Sequence, residues 1–215
     1  AEDAVATASG MAAITGALHS VMAAGDHLLA GGTFYGGTHR FLAEHAERLG
    51  WTFDLVDPCD TDSWAAALRP ETKAFLAESI TNPLVRVGDL ARMPRFARRH
   101  GLTSIIDNTF ATPVNFRPHR LGFDLVCHSA TKALNGHSDI AAGAVTGTAE
   151  RIARVASVLG AYGGSLDPHA AFLLARGLKT LALRVRAQNA NALAVARFLA
   201  SHERIAHVSH PGLVT

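Results

Sequence analysis

Cysteine is scarce in this chain: Cys59 and Cys127 are the only two in 215 residues, and they share no CxxC spacing. That argues against a disulfide scaffold and against thiolate-rich zinc folds, and it fits free thiols in a reducing compartment such as the cytoplasm. No apolar run reaches bilayer length, and the mildly apolar stretch 11–24 follows acidic residues, unlike a secretory leader. An excess of one charge is missing too: 20 Lys+Arg face 18 Asp+Glu, a net charge of +2, with the two signs interspersed. Nothing here forms the basic stripe that nucleic acid or an anionic membrane surface would need. Twelve histidines invite a metal, but HExxH and paired His/Cys spacings are absent. GxGxxG, GxxxxGK[ST] and GxSxG are absent as well, so dinucleotide, nucleoside-triphosphate and serine-hydrolase sites lack their fingerprints.

Lysine is the most telling scarcity. Lys73, Lys132 and Lys179 stand beside seventeen arginines. Lys132 lies in Ser129-Ala130-Thr131-Lys132-Ala133-Leu134-Asn135-Gly136-His137-Ser138-Asp139, just after an apolar run, 123–127, that reads as a buried strand. A desolvated lysine can shed its proton and condense with a carbonyl, whereas arginine can do neither. The setting therefore points to an amine kept for its chemistry.

What is present is a well-buried globular chain, 48% hydrophobic and 18% charged, long enough for one large domain or one domain plus part of another. Short apolar runs at 27–30, 51–56, 73–78, 103–107, 123–127 and 140–147 read as strands. Patterns over 11–24, 38–49, 61–68, 89–100 and, as one long helix, 167–202 read as helices. Strands alternating with helices predict a three-layer α/β/α sandwich on a mostly parallel sheet, whose ligands sit at the carboxyl ends of the strands.

The candidate site residues follow predicted strands or open helices. Ser9-Gly10-Met11 starts a helix, and free N–H groups at a helix N-terminus attract phosphate, although Ser9 by itself is equally an ordinary N-cap. Tyr35 sits in a glycine-rich loop, 31–37; its phenol can stack on a ring and exchange a proton, or simply pack. Asn82 lies in an Asn-Pro turn, so its amide can meet a ligand or only shape the turn. Asp107 ends a strand before Asn108-Thr109, and can pair with a ring nitrogen or cap the loop. Ser129 and Thr131 add hydroxyls beside Lys132.

Together and in this order, these segments resemble the Cys/Met-metabolism family of pyridoxal-phosphate (PLP) enzymes, which includes cystathionine γ-synthases, cystathionine γ-lyases, methionine γ-lyases and O-acylhomoserine sulfhydrylases. The resemblance runs along essentially the whole chain. It rests on Ser9-Gly10-Met11-Ala12-Ala13, Tyr35-Gly36-Gly37-Thr38, Glu78-Ser79-Ile80-Thr81-Asn82-Pro83, Asp107-Asn108-Thr109-Phe110-Ala111-Thr112-Pro113, the Lys132 segment and Arg176-Gly177-Leu178-Lys179-Thr180-Leu181. It implies a type I aminotransferase-like large domain with PLP as cofactor. Lys132 would form the Schiff base, Tyr35 would stack on the ring, Asn82 would meet its oxygen and Asp107 its nitrogen. Gly10, Met11, Ser129 and Thr131 would hold the phosphate, with Ser9 and Thr109 beside them. The implied chemistry is γ-replacement or γ-elimination on small amino-acid substrates by a homotetramer, a dimer of dimers.

The same resemblance divides the chain into a PLP-binding domain, 1–165, and a segment, 166–215, that opens a C-terminal domain. It places a phosphate clamp from a neighbouring subunit before residue 1 and a substrate-carboxylate arginine after residue 215, so the chain reads as an internal piece. Typical methionine γ-lyases carry cysteine where this chain has Gly37, which argues for the other activities. The alternative is a non-catalytic PLP-fold module that binds the cofactor weakly or only supports an oligomer.

Overall fold

The computed structural model describes residues 1–213. The last two positions of the expected 166–215 segment lie outside them. Among the described residues, seven strands form one sheet: β1 Asp3–Thr7, β2 His27–Gly31, β3 Thr52–Val56, β4 Thr72–Glu78, β5 Thr103–Asp107, β6 Leu125–His128 and β7 Gly143–Gly147. Their order is β1-β7-β6-β5-β4-β2-β3. Strands β3, β2, β4, β5 and β6 pair in parallel, while β7 runs antiparallel to both β6 and β1. The helices are α1 Gly10–His19, α2 Gly36–His45, α3 Thr61–Ala66, α4 Met93–Arg99, α5 Thr112–Asn115, α6 Ala149–Tyr162, α7 Pro168–Leu178 and α8 Leu181–Ala200. No described helix is long and apolar enough to cross a membrane.

Alternation along the strands builds the three layers. Leu28, Leu76, Ile105 and Leu125 pack with side chains of α1, α2 and α6 in one core. Their neighbours Leu29, Phe75, Ile106 and Val126 pack on the other side with Trp64 of α3 and with Met93 and Ala97 of α4. A parallel sheet covered on both faces needs apolar side chains in both directions, which is why these strands read as unbroken apolar runs. A third cluster joins Ala130, Leu134 and Ala142 to Leu174 of α7 and to Leu181 and Val185 of α8.

The structure departs from the sequence expectations in five places, the shortest being helix α5, which follows β5 and is not anticipated. Strand β1 is not anticipated: its alanine-rich Asp3–Thr7 carries little strand propensity, and pairing with β7 (Val5 opposite Val145) makes it a strand. Helix α6 was also passed over, although its signals are local. Thr148 caps it by accepting from Arg151 N, Gly163 ends it with φ +78°, and Ile152, Val155 and Leu159 form its buried face. The reading also extended α1 to residue 24, but the helix stops at His19; Asp26 Oδ2 accepts from Ala23 N at 2.7 Å in the turn that follows. Finally, the single helix expected over 167–202 is two, α7 and α8, interrupted at Lys179-Thr180.

Candidate active site

Strands β4, β5 and β6 end side by side, with Glu78 opposite Asp107 and Asp107 opposite Cys127. A cavity of about 420 Å³ opens beyond these carboxyl ends. The structure brings all ten residues singled out in the sequence to its wall: Ser9, Gly10, Met11, Tyr35, Asn82, Asp107, Thr109, Ser129, Thr131 and Lys132. Ile14, Thr38, Glu78, Ile80 and Phe110 complete the lining.

The N-terminus of α1 closes one side. Ser9 is its N-cap, and its Oγ accepts from Ala12 N at 3.0 Å. Gly10 and Met11 N–H find no acceptor among the described residues. A Cβ on Gly10 would stand 2.7 Å from Ser129 Cβ and 2.9 Å from its Oγ, so only glycine lets the helix approach this closely. Two free amides at the positive end of a helix, beside a hydroxyl, make an anion cradle.

Two other hydroxyls are already engaged. Thr109 Oγ1 donates to Asp107 Oδ1 at 2.5 Å and accepts from Ser129 N at 2.7 Å, and Thr109 N donates to the same Asp107 oxygen at 2.9 Å. Thr109 thus fixes the carboxylate. Thr131 Oγ1 donates to Ala142 O at 3.0 Å and accepts from Ala142 N at 2.9 Å, fastening the lysine turn to the segment before β7. For either hydroxyl to reach a phosphate, these bonds must exchange.

Asp107 Oδ2 has no hydrogen-bond partner among the described residues. Burial pushes the Asp107 carboxyl above its ordinary range, and the two bonds from Thr109 oppose that rise. Next to it, Glu78 is only 6% exposed. Its Oε1 accepts from Tyr35 N at 2.8 Å and its Oε2 from Asn82 N at 3.0 Å. Burial raises its pKa from 4.5 to about 7; the Asp107 charge adds to the rise and the two backbone bonds counter it. Glu78 belongs to the motif that ends in Asn82-Pro83 but is not among the site residues expected from the sequence. Its signal was positional, a carboxylate ending the strand beside the one that ends in Asp107.

Tyr35 precedes the first turn of α2 and is 51% exposed at the rim. A Cβ on Gly37 would fall 2.5 Å from the Tyr35 ring and 3.2 Å from Met11 Sδ.

Lys132 sits in a tight series of turns: its N–H donates to Ser129 O at 3.1 Å, Asn135 N to Ala130 O at 3.0 Å and Gly136 N to Lys132 O at 2.8 Å. Gly136 takes φ +78°, where a side chain would be strained and would also collide with the Arg184 guanidinium. Arg184 of α8 donates to Ala133 O at 2.7 Å, Leu134 O at 3.3 Å, Gly177 O at 2.8 Å and Thr180 Oγ1 at 3.0 Å. It holds the lysine turn against the α7–α8 joint. Nothing in the sequence around the lysine turn announces a partner 51 positions beyond Ala133. The desolvated lysine that the sequence argument invoked is not provided by the described residues, since Lys132 is exposed at the cavity.

Fold and site define a class: an α/β protein with an anion cradle, an uncompensated buried carboxylate, a phenol and an amine around one pocket. The chain matches the family model of the Cys/Met metabolism PLP-dependent enzymes over residues 1–215, and it belongs to that family. It is 41% identical over 214 residues to a probable cystathionine gamma-synthase of Herpetosiphon aurantiacus, covering 99% of this chain and 67% of the relative. It is 41% identical over 209 residues to a cystathionine beta-lyase of Lactococcus lactis, covering 97% of this chain and 55% of the relative. The crystal structure of cystathionine gamma-lyase from Lactobacillus plantarum complexed with L-serine superposes with a TM-score of 0.90 at 41% identity, over 93% of this chain and 52% of that one. The chain thus spans between about half and two thirds of these proteins' lengths. Relatives at the same identity thus include a β-lyase as well as a γ-synthase.

Membership implies PLP as the cofactor. The residues fit it. The cradle at Gly10, Met11 and Ser129 suits a phosphate, Asp107 Oδ2 lacks the cation that a pyridinium nitrogen would supply, and the cavity falls within the usual size of cofactor sites.

Proposed function

We propose that this chain carries the cofactor-binding part of an enzyme performing γ-replacement or γ-elimination on homoserine-derived or sulfur-containing amino acids. One observation carries the reading: an amine, a buried carboxylate, a phenol and a helix N-terminus converge on a single cavity. Bound PLP supplies an electron sink for charge developing at the substrate Cα. The chain's own groups supply the rest. Lys132 offers the primary amine that would hold the cofactor, and an amine at this place would move protons at the substrate Cα and Cβ. Asp107 Oδ2 would hold the protonated ring nitrogen, and Thr109 orients this carboxylate. Gly10, Met11 and Ser129 would hold the phosphate, and Asn82 would offer its amide to the ring oxygen. Tyr35 covers the ring and gives a proton to the departing γ-substituent. Ser9 and Thr131 act behind this set, capping α1 and fastening the lysine turn.

Gly37 in place of cysteine favours synthase, γ-lyase or sulfhydrylase activity over methionine γ-lyase. The reading includes a PLP-binding domain over 1–165 with a helical segment beyond it, a homo-oligomeric assembly, and a reducing cytoplasmic setting that accords with the free Cys59 and Cys127. The test is borohydride reduction of the protein mixed with PLP, followed by peptide mapping. A pyridoxyl group on Lys132 is expected. Folded protein labelled elsewhere, or not at all, would sink the assignment.

A further inference from the structure

Glu78 does something none of the expected roles covers. Its two carboxylate oxygens accept one bond each from the backbone N–H groups of Tyr35 and Asn82, at 2.8 and 3.0 Å. The Tyr35 loop follows β2 and the Asn82 turn follows β4, so the carboxylate joins two separate segments that border the cavity. Buried carboxylates are costly, and the buried Glu78 adjoins another carboxylate, the half-buried Asp107, in the next strand. A fold that needed only two amides satisfied could use a neutral acceptor. We propose that Glu78 is a positioning residue: it ties the Tyr35 loop to the Asn82 turn so that a planar ring is gripped between phenol and amide.

The inference rests on the PLP reading for the identity of that ring, but the tie itself is a property of the chain alone. Because Glu78 binds backbone and not side chains, it fixes where Cα of Tyr35 and of Asn82 stand while leaving the phenol and amide free for the ligand. An ionised carboxylate accepts both amides at once. A carboxamide accepts one and turns N–H toward the other, so Glu78→Gln should undo about half of the tie, and Glu78→Leu should undo all of it at similar volume.

The test has two readouts on each variant, with far-UV circular dichroism confirming the fold. Amide hydrogen exchange in the cofactor-free protein reports the tie. Titration with PLP, followed by the induced circular dichroism of the bound chromophore, reports the grip. Exchange at the Tyr35 and Asn82 amides should rise about tenfold in Glu78→Gln and further in Glu78→Leu, while amides of α6 stay unchanged. The dissociation constant for PLP should rise about tenfold in Glu78→Gln, with a weaker induced signal. Unchanged exchange at both amides overturns the proposal. Faster exchange with unchanged PLP affinity and signal also overturns it, reducing Glu78 to a local strut. Wild-type protein that protects both amides yet binds no PLP overturns the PLP reading and, with it, the cofactor grip. If Glu78→Leu fails to fold, Glu78→Gln decides alone.

Discussion

The two ends of the sheet treat charge in opposite ways. At the amino ends of β4, β5 and β6 a smaller cavity of about 200 Å³ is lined by Lys73, Arg151 and Arg154. There both arginines have acidic partners in partly or fully open surroundings: Arg151 meets Asp124 at 3.0 Å and Arg154 meets Glu150 at 2.6 Å. At the carboxyl ends the buried Glu78 lies beside the half-buried Asp107, and neither has a cationic partner among the described salt bridges. The amino end is a partly solvated surface where both arginines are paired with carboxylates. At the carboxyl end neither carboxylate is paired with a cation among the described residues, and under the proposed function a cationic group of the cofactor would pair with Asp107. Buried, uncompensated charge therefore marks the functional end of the sheet better than the number of charges does.

The contrast can be broken at several points. Lys132→Ala should have the largest effect, removing the pyridoxyl adduct and lowering turnover by about 10³-fold or more, with little change in melting temperature because Lys132 is exposed. Asp107→Asn should lower turnover by about 10²-fold while leaving the cofactor-free protein as stable as wild type or more so above neutral pH. Asparagine keeps an acceptor for Thr109 and removes the buried charge. A stability loss comparable to the activity loss would show that Asp107 is mainly structural.

Denaturant titrations against pH sharpen the comparison further. Glu78 is raised from 4.5 to about 7 in the folded chain, so its stabilising contribution is fully present below pH 4.5 and is lost as pH climbs to about 7. The slope from this group is at most about 1.4 kcal/mol per pH unit. Asp107, also raised by burial, acts in the same sense. His128 acts in the opposite sense: burial lowers it to about 4, so its contribution is present above 6.5 and is lost as pH falls toward 4. The charged and titratable groups around Glu78 are Asp107 on β5, the Tyr35 phenol and, on the same cavity, Lys132. Glu78→Gln should flatten the decline between pH 4.5 and 7, and saturating PLP should do the same in wild type; a pH profile unmoved by either would contradict the imbalance. The smallest effect belongs to the amino end, where Arg151→Ala should cost about 0.5–1 kcal/mol and leave PLP affinity unchanged.

Much of this was legible beforehand because it is written locally. Period-2 alternation buried on both faces produces the continuous runs at β2, β4 and β5, and those runs foretold the parallel sheet. Ser9 before Gly10-Met11 foretold the start of α1, and strand-ending Asp107 pointed to the cavity. Helix α6 shows the limit of reading and not of the sequence: its N-cap, glycine stop and apolar face were all present. Strand β1 was of another kind, since alanines become a strand there only through pairing with β7.

By itself, then, the sequence determined the six strands β2 to β7 and the residues that follow their carboxyl ends, because periodicity, caps and strand ends are properties of neighbouring residues. Tertiary structure alone decided what those residues do to one another. It turned the Thr109 hydroxyl to Asp107 and the Thr131 hydroxyl to Ala142, broke the last long helix at Lys179-Thr180 where Arg184 reaches back to the lysine turn, and set Glu78 between Tyr35 and Asn82. Each of these bonds joins atoms whose approach is set by strand register and helix packing, and that geometry has no counterpart in local spacing.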